Sequence, residues 1–466
     1  MTTNSTICAV STPPGSGGVA VIRISGPDAI KNADTIYYPL KEGKSIGVQK
    51  SYTLSLGEVL KEEQVLDEVL LAVYRSPNSF TGEDVVEIFC HGSVYIQQEI
   101  LKLLIENGCT MAAPGEFTQR AFLQGKMNLS QAESVADLIA SSSRASHKLA
   151  MNQMRGGFGK ELTFLRSQLL NFVSMIELEL DFGEEDVEFA DRSRLLELIE
   201  TIKKLIAKLV DSFSLGNAIK SGVPVVIVGE TNAGKSTLLN LLLNEDKAIV
   251  SDIHGTTRDV IEDVINIQGI TFRFIDTAGI RESQDEIETI GIERTFRKID
   301  QASIIVWMID TTHFNKEIEY IADQIVPRIA DKKLIIVFNK IDKISLEEQA
   351  ILEEEFLPHV PADRIYLSAK YKKNTEKLEQ ALLQAANLPE INENDVVVSN
   401  IRHYESLKKS LDAVSRVEEG LKSGLSADFI SQDIRECMHY LGEITGGSIS
   451  SDEILGSIFE RFCIGK

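Results

Sequence analysis

The segment Gly229–Ser236 reads Gly-x-x-x-x-Gly-Lys-Ser, a spacing of residue types that suits the binding of phosphate groups. It follows a β-rich run, 223–228, and precedes an apolar run, 238–243. Glycines allow successive backbone N–H groups to surround a phosphate, and the following helix directs its positive end toward it. Lys235 adds a positive charge toward the β- and γ-phosphates, and Ser236 offers a hydroxyl to Mg²⁺. A strand, this loop and a helix in succession therefore predict a nucleoside triphosphate site.

Three later segments narrow the base to guanine. Asp276-Thr277-Ala278-Gly279 ends a β-rich run, so that Asp276 can reach the Mg²⁺ shell and Gly279 the γ-phosphate. Asn339-Lys340-Ile341-Asp342 follows another such run, and the Asp342 carboxylate can accept hydrogen bonds from N1 and N2 of guanine, which adenine does not offer. Ser368-Ala369-Lys370 would complete the base pocket. The four segments in this order predict a GTP hydrolase.

The loop 251–259 lies between the phosphate loop and Asp276. A threonine in such a loop completes the Mg²⁺ shell when the γ-phosphate is present, and Thr257 is the first choice, with Thr256 as the alternative. His254 is expected to be a loop residue without a catalytic role. The residues expected to surround the nucleotide are Asn232, Ala233, Gly234, Lys235, Ser236, Thr237, Ser251, Asp252, Ile253, His254, Gly255, Thr256, Thr257, Asp276, Thr277, Ala278, Gly279, Asn339, Lys340, Asp342, Ser368, Ala369 and Lys370.

The group that activates the attacking water is left open by the spacing. Ile280 stands where Ras-like GTPases carry the glutamine that orients this water, and an isoleucine cannot do so. The alternative candidates are the acidic residues downstream, namely Glu282, Asp285, Glu286, Glu288 and Glu293. The group that neutralises the charge developing on the phosphates is also left open. Asn232 could help hold a monovalent cation beside them, or Arg258 or Arg281 could act as an arginine finger.

The rest of the chain must position these segments. Two apolar series at three- and four-residue steps, from Leu162 to Leu180 and from Leu195 to Leu209, predict helices with buried stripes. Alternating strands and helices in the GTPase region predict a parallel sheet wound with helices. We therefore predict an α/β plus α fold, in which a Ras-like P-loop GTPase domain is inserted into a helical bundle domain that follows an N-terminal α/β domain. The expected boundaries are 1–118 for the α/β domain, 119–215 and 385–466 for the two parts of the helical domain, and 216–384 for the G domain.

The amino-acid composition limits the classes of partner that the chain can bind. The 466 residues carry a formal net charge of −22, from 48 Lys and Arg against 70 Asp and Glu. Bulk attraction to nucleic acid is excluded, so an RNA substrate needs a small basic patch or a basic partner. The five cysteines are scattered, which argues against a disulfide framework or a zinc site. No apolar run is long enough to cross a bilayer, and we expect a cytoplasmic protein with no membrane partner.

Further motifs give the chain a resemblance to a known family. They are Thr12-Pro13-Pro14-Gly15, Arg23-Ile24-Ser25-Gly26, Ser79-Phe80-Thr81-Gly82-Glu83-Asp84, Pro114-Gly115-Glu116-Phe117 with Arg120-Ala121-Phe122, Gly255-Thr256-Thr257-Arg258-Asp259, and the closing Phe462-Cys463-Ile464-Gly465-Lys466. Distributed over the whole chain, they make it resemble the MnmE (TrmE) family of tRNA modification GTPases. The resemblance implies that 1–118 binds folate and dimerises.

The resemblance also implies a substrate and partners. The family acts with the flavoprotein MnmG, in a heterotetramer, to add a carboxymethylaminomethyl or aminomethyl group to C5 of the wobble uridine of certain tRNAs. A one-carbon folate, 5-formyltetrahydrofolate or a related form, would contact Arg23, Glu87, Lys126 and Lys466. Cys463 becomes a candidate participant in the modification chemistry.

For hydrolysis, the resemblance implies a homodimer whose G domains pair across their nucleotide faces. Glu288 then becomes the residue that orients the water. The implied metal ligands are Asn232, Ser251, Ile253 through its carbonyl and Thr256 for K⁺, and Ser236 and Thr257 for Mg²⁺.

Two other functions are weighed against this interpretation. A ribosome-assembly switch GTPase of the Era/Der type would be favoured by an RNA-binding KH-type tail, whereas the C-terminal region predicts helices. A structural dimerisation protein with a vestigial nucleotide site is difficult to reconcile with the complete set of guanine-nucleotide segments.

Overall fold

A computed structural model describes most of the chain, in two compact units. The described residues are 5–41, 45–181, 192–245, 263–275, 299–313, 316–329, 332–357, 359–389 and 395–447, with 458, 459, 462 and 465. The first unit comprises Met1–Ala140, Ala150–Ala207 and Glu405–Lys466, and the second comprises Ser141–Leu149 and Lys208–Tyr404.

The first unit contains a seven-stranded sheet in the order β3-β4-β5-β6-β2-β1-β7. Its strands are β1 (Ile7–Val10), β2 (Val19–Ser25), β3 (Tyr37–Pro39), β4 (Thr53–Lys61), β5 (Gln64–Tyr74), β6 (Val85–His91) and β7 (Thr110–Met111). All neighbours are antiparallel except β1 and β7. Helices α1 (Ala29–Asp34) and α2 (Val94–Glu106) share one buried core with the sheet. Because side chains alternate along a strand, Ile22 and Ile24 enter this core and Arg23 lies on the opposite face.

Long helices form the rest of this unit. They are α3 (Glu116–Leu123), α4 (Leu129–Ala140), α5 (Arg144–Met154), α6 (Gly157–Asp181), α7 (Arg192–Asp211), α13 (Ile401–Ser423) and α14 (Ala427–Thr445), of which α5, α7 and α13 also extend into the second unit. Both predicted stripes are confirmed, since Leu162, Leu165 and Leu169 of α6, like Ile199 and Ile206 of α7, are buried. Helix α6 packs along α14. No helix among the described residues is long and apolar enough to cross a membrane.

One ion-pair network connects α7 to α13. The Glu418 carboxylate accepts a hydrogen bond from Lys203 Nζ at 2.6 Å and another from Lys422. These two ammonium groups, Lys203 first, lower the pKa of Glu418 to about 2. Since an unfolded glutamate titrates near pH ~4.3, the network stabilises the fold fully above that pH, and its contribution is lost as the pH falls toward 2.

We expect Glu418→Gln to reduce the free energy of unfolding at neutral pH by about 1 kcal/mol per lost pair at most, because the lysines are partly exposed. The difference from wild type should shrink as the pH falls below ~4.3, because the unfolded wild-type chain then binds a proton at Glu418 while the folded carboxylate stays ionised, and it should vanish near pH 2. Urea unfolding between pH 3 and 7 measures this, with Glu419→Gln as the control at the exposed neighbouring position. A difference that is independent of pH would contradict the charge network.

The second unit contains a six-stranded sheet in the order β13-β12-β11-β8-β10-β9. Its strands are β8 (Val223–Gly229), β9 (Asp263–Ile267), β10 (Ile270–Phe274), β11 (Ile304–Asp310), β12 (Lys333–Asn339) and β13 (Asp363–Tyr366). Its helices are α8 (Phe213–Ser221), α9 (Lys235–Glu245), α10 (Lys316–Ile325), α11 (Leu346–Glu355) and α12 (Thr375–Ala386). Buried apolar clusters cover both faces of the sheet, so every residue of the central strand β11 is buried.

The sheet differs from the predicted parallel arrangement at one edge. Strand β9 is antiparallel to β10, and the other neighbouring strands are parallel. The two strands are joined through Gln268 and Gly269, whose φ angles of 50° and 85° suit a tight hairpin turn. A two-residue connection cannot carry the crossover that a parallel pair requires.

Candidate functional sites

The phosphate loop runs from the end of β8 into the first turn of α9, and two glycines determine its path. Gly229 has a φ of 150°, and a Cβ there would lie 2.1 Å from the Met308 carbonyl oxygen of β11. Gly234 has a φ of 103°, and a Cβ there would lie 2.3 Å from Asn339 Nδ2. Both positions are therefore restricted to glycine by backbone angle and by space. Glycines at these two positions give the loop the backbone freedom with which N–H groups can surround a phosphate.

Lys235 places its positive charge over this loop. Its Nζ donates hydrogen bonds to the carbonyl oxygens of Gly229 and Glu230, each at 2.7 Å. Ser236 and Thr237 follow in the first turn of α9, where N–H groups have no partner four residues earlier in the helix. Asn232 is exposed on the loop with a φ of 65°. The loop thus combines an ammonium, a hydroxyl and a helix N-terminus, which suits a phosphate with Mg²⁺.

Asn339 connects the phosphate loop to the two base-recognition segments. Its Nδ2 donates to the Ala233 carbonyl oxygen at 2.7 Å, and its Oδ1 accepts from the Ala369 N–H at 3.0 Å. The side chain is buried. One amide therefore fixes three segments that are far apart along the chain.

Asp342 lies beside the third segment. Ser368 Oγ donates to Asp342 Oδ1 at 2.6 Å, while the residue itself is exposed. Ser368 is held in turn by two backbone hydrogen bonds with Lys373, both at 3.1 Å. The Lys370 ammonium lies 5.2 Å from the centre of the Tyr371 ring. The serine thus orients the carboxylate, and its second oxygen can accept from a base.

Asp310, at the end of β11, holds the side chain of Lys340. The Lys340 ammonium pairs with the Asp310 carboxylate, which also accepts from the N–H and hydroxyl of Thr312 at 2.9 and 2.7 Å. Burial acts to raise the pKa of Asp310, but the hydrogen bonds from Lys340 and Thr312 outweigh it and lower the pKa below its ordinary value. Lys340 itself has a φ of 66°. Sequence reasoning missed Asp310, for which the only signal was a carboxylate at the end of an apolar run.

Several expected site residues lie outside the described part of the chain. They are Ser251, Asp252, Ile253, His254, Gly255, Thr256, Thr257, Asp276, Thr277, Ala278, Gly279, Glu288, Cys463 and Lys466, with the alternatives Arg258, Ile280, Arg281, Glu282, Asp285, Glu286 and Glu293.

A second polar cluster lies on the sheet of the first unit. Arg23 and Glu87 are directly opposite each other on β2 and β6, and Arg23 Nε donates to Glu87 Oε1 at 2.8 Å. Tyr74 Oη donates to the other carboxylate oxygen at 3.1 Å. Burial first, and then the Glu87 charge, raise the pKa of Tyr74. The Arg23 guanidinium also lies 5.7 and 5.6 Å from the ring centres of Phe80 and Phe117. Sequence reasoning did not assign Tyr74 to this cluster.

Gly465 lies beside this cluster. The Gly465 carbonyl oxygen accepts from Ser11 Oγ at 2.9 Å and from Arg23 Nη1 at 3.4 Å. Gly465 has a φ of 94°, and a Cβ there would lie 2.1 Å from the Val10 carbonyl oxygen. Lys126 is placed differently, because its Nζ donates to the Pro77 carbonyl oxygen at 2.9 Å.

Comparison with known proteins covers nearly the whole chain. The protein family described as "GTP-binding protein TrmE N-terminus" matches residues 6–126, and the family described as "MnmE helical domain" matches residues 129–463. The tRNA modification GTPase MnmE of Bacteroides thetaiotaomicron is 59% identical over 99% of both chains. The protein of the same name from Flavobacterium johnsoniae is 51% identical over 100% of both chains. The chain belongs to the MnmE family of tRNA modification GTPases.

The phosphate loop and the Arg23–Glu87 cluster both lie in regions that match MnmE-family proteins. The matched TrmE N-terminal region contains Arg23 and Glu87, and the matched MnmE helical region contains the phosphate loop. Relatives matched from end to end are MnmE proteins, which does not favour an Era/Der-type ribosome-assembly switch. The MnmE name also agrees with the predicted GTP hydrolase.

Proposed function

We propose that this chain is a K⁺-dependent GTPase that acts with the flavoprotein MnmG on the wobble uridine of certain tRNAs. The pair attaches a carboxymethylaminomethyl or aminomethyl group to C5 of that base. The observation that carries the GTPase proposal is the Asn339 amide, which joins the phosphate loop to the base-recognition segments. The tRNA part rests on family membership.

The proposed GTP contacts follow from the chemistry of each group. Asp342 accepts from guanine N1 and N2, and Lys235 neutralises charge on the β- and γ-phosphates. Ser236, with Thr257 of the undescribed loop, holds Mg²⁺, which would neutralise phosphate charge when bound. The remaining proposed K⁺ ligands with Asn232 are Ser251, Ile253 and Thr256.

The Arg23–Glu87 cluster is the proposed site of a one-carbon folate such as 5-formyltetrahydrofolate. The Glu87 carboxylate can accept from the N–H groups of a pterin ring, and Arg23 supplies a cation for a carbonyl or carboxylate. Lys126 and Lys466 are the other proposed cations. The cluster fits the group because it offers an acceptor and a donor side by side, beside the aromatic rings of Phe80 and Phe117. Cys463 remains a candidate for the modification chemistry.

Nucleoside analysis of tRNA tests the function as a whole. A strain that lacks this protein should lose the C5-modified wobble uridines, and the intact gene should restore them. A gene that carries Lys235→Ala should fail to restore them, although the protein is present. Unchanged wobble uridines in the deletion strain would reject the tRNA proposal and return the chain to the class of switch GTPases.

The proposed cation gives a prediction about salt. Steady-state GTP hydrolysis by the homodimer should be fast in K⁺ and largely lost in Na⁺ at equal ionic strength, because a smaller ion is held differently by fixed oxygen ligands. Asn232→Ala should reduce the ratio of the two rates. Equal rates in the two salts would exclude the cation mechanism and favour Arg258 or Arg281.

Glu288 is the proposed residue for orienting the attacking water. Glu288→Ala should lower kcat for GTP hydrolysis by about 10²- to 10⁴-fold, the range for loss of a positioned base. GTP affinity, measured by fluorescence titration, should remain nearly unchanged. If the variant keeps its activity, the same substitution at Glu282, Asp285 and Glu286 will show which carboxylate has the role.

A further inference from the structure

We infer that the outward face of α6 contains a contact site for an unstacked nucleotide of RNA. The site rests on the proposed tRNA function and names the surface of this chain that takes part in it. It is a cleft of about 370 Å³ lined by Asn128, Gly159, Lys160, Thr163, Phe164 and Ser167. Lys160, Thr163, Phe164 and Ser167 are spaced at three and four residues and so share one face of α6.

The charge of this surface differs in sign from the net charge of the chain. The whole chain has a net charge of −22, yet the residues that line the cleft include one cation, Lys160, and no acid. Lys160 is exposed, and it forms no ion pair with another described residue. A cation without a partner in an acidic protein suits a phosphate group. Lys160 thus supplies the local cation that an RNA phosphate requires in an acidic protein.

Phe164 provides an aromatic surface beside the cation. Its side chain is 59% exposed, although Leu162, Leu165 and Leu169 of the same helix are buried in the core. Burial of the helix therefore does not account for a phenylalanine at this position. An exposed ring beside a lysine is the arrangement on which single-stranded bases stack.

The polar atoms of the cleft complement a ribose. Thr163 Oγ1 donates to the Gly159 carbonyl oxygen at 2.8 Å, and Ser167 Oγ donates to that of Phe164 at 2.7 Å, so each hydroxyl keeps its lone pairs as acceptors. Asn128 Oδ1 accepts from the Gln131 N–H at 2.9 Å, and the amide Nδ2 remains as a donor. Two acceptor hydroxyls can bind a 2′-OH, which distinguishes RNA from DNA.

Binding of tRNA to the full-length protein tests this surface. In anisotropy titrations between 50 and 200 mM KCl, Lys160→Ala should reduce the slope of log K against log salt by about 1, as expected for one phosphate contact. Phe164→Ala should weaken binding by about 5- to 100-fold. The matched controls are Lys408→Ala and Phe429→Ala, which remove another exposed lysine and another exposed phenylalanine of the first unit and should change neither value.

The hydroxyls give a separate readout. The combined substitutions Thr163→Val and Ser167→Ala should reduce the preference for a single-stranded RNA over a DNA of the same sequence, and leave DNA binding unchanged. Hydrolysis of GTP without RNA should be unaltered in every variant, since none of these residues is among the proposed nucleotide contacts. Thermal melting curves of the variants, recorded by circular dichroism, should superimpose on that of the wild type.

Three outcomes would overturn the inference. They are equal tRNA binding by Lys160→Ala, Phe164→Ala and wild type, equal loss in the control variants, and absence of tRNA binding by the wild-type protein at 50 mM KCl. Variants that keep tRNA binding but lose a protein partner would instead assign the surface to that partner. The proposed function is judged separately, by the wobble nucleosides of the deletion strain.

Discussion

Asp342→Asn is expected to lower GTP affinity by about 10²- to 10⁴-fold and to raise the affinity for xanthosine triphosphate. Two hydrogen bonds to a charged acceptor contribute about 1.5 to 3 kcal/mol each, which gives this range at 1.4 kcal/mol per tenfold. An asparagine offers an N–H where guanine N2 also offers one, so one contact becomes repulsive. Xanthine carries a carbonyl at that position, and the asparagine N–H can donate to it.

Paired titrations with the two nucleotides measure this switch. Because Ser368 Oγ donates to Asp342 Oδ1, an amide oxygen at the same place keeps that contact and the orientation of the side chain. Asp363→Asn, at an exposed position of the same unit, is the control and should bind GTP as wild type does. A parallel loss of affinity for both nucleotides would contradict a role in base recognition, and would indicate damage to the pocket instead.

Lys235→Ala is expected to lower kcat/KM for GTP by about 10³- to 10⁵-fold. Loss of one preorganised donor to developing charge costs about 10²- to 10³-fold in kcat, and loss of a charged contact to the bound phosphates adds about 10- to 100-fold. The two carbonyl oxygens that accept from Nζ hold the ammonium over the loop before any nucleotide binds. The charge therefore needs little reorganisation during the reaction.

Single-turnover hydrolysis and nucleotide titration separate the two contributions. Lys235→Arg should restore little of the GTP hydrolysis, because a planar guanidinium cannot replace a compact ammonium between the Gly229 and Glu230 carbonyls. Lys343→Ala removes an exposed lysine near the base site and should leave both values unchanged. Hydrolysis by Lys235→Ala within tenfold of wild type would show that the loop has another source of positive charge.

Local features of both units were predictable from sequence. Strand β8 and helix α9 begin and end close to the apolar runs that predicted them, and the apolar stripes of α6 and α7 are buried as expected. Hydrophobic patterns of this kind predict strands and helices correctly because a period of two or of 3.6 residues follows directly from backbone geometry. The antiparallel strand β9 was not expected, since one short hairpin at the edge of a sheet leaves little trace in the periodicity.

The two clusters depend on contacts that no local pattern encodes. Asn339 reaches Ala233 across 106 residues, and Arg23 reaches the Gly465 carbonyl across 442. The Arg23–Glu87 pair exists because β2 and β6 align in a register set by burial of alternate residues, including Ile22 and Ile88. A shift of one residue would send Arg23 into the core.

By itself, the sequence determined the prediction of a phosphate-binding loop at Gly229–Ser236, because eight consecutive residues between a strand and a helix contain the necessary backbone freedom, charge and hydroxyl. Only the tertiary structure decided that Asn339 joins this loop to Ser368-Ala369-Lys370, that Asp310 holds Lys340, and that Gly465 returns to Arg23. Loop chemistry is local, whereas each of these contacts depends on how distant strands and segments pack.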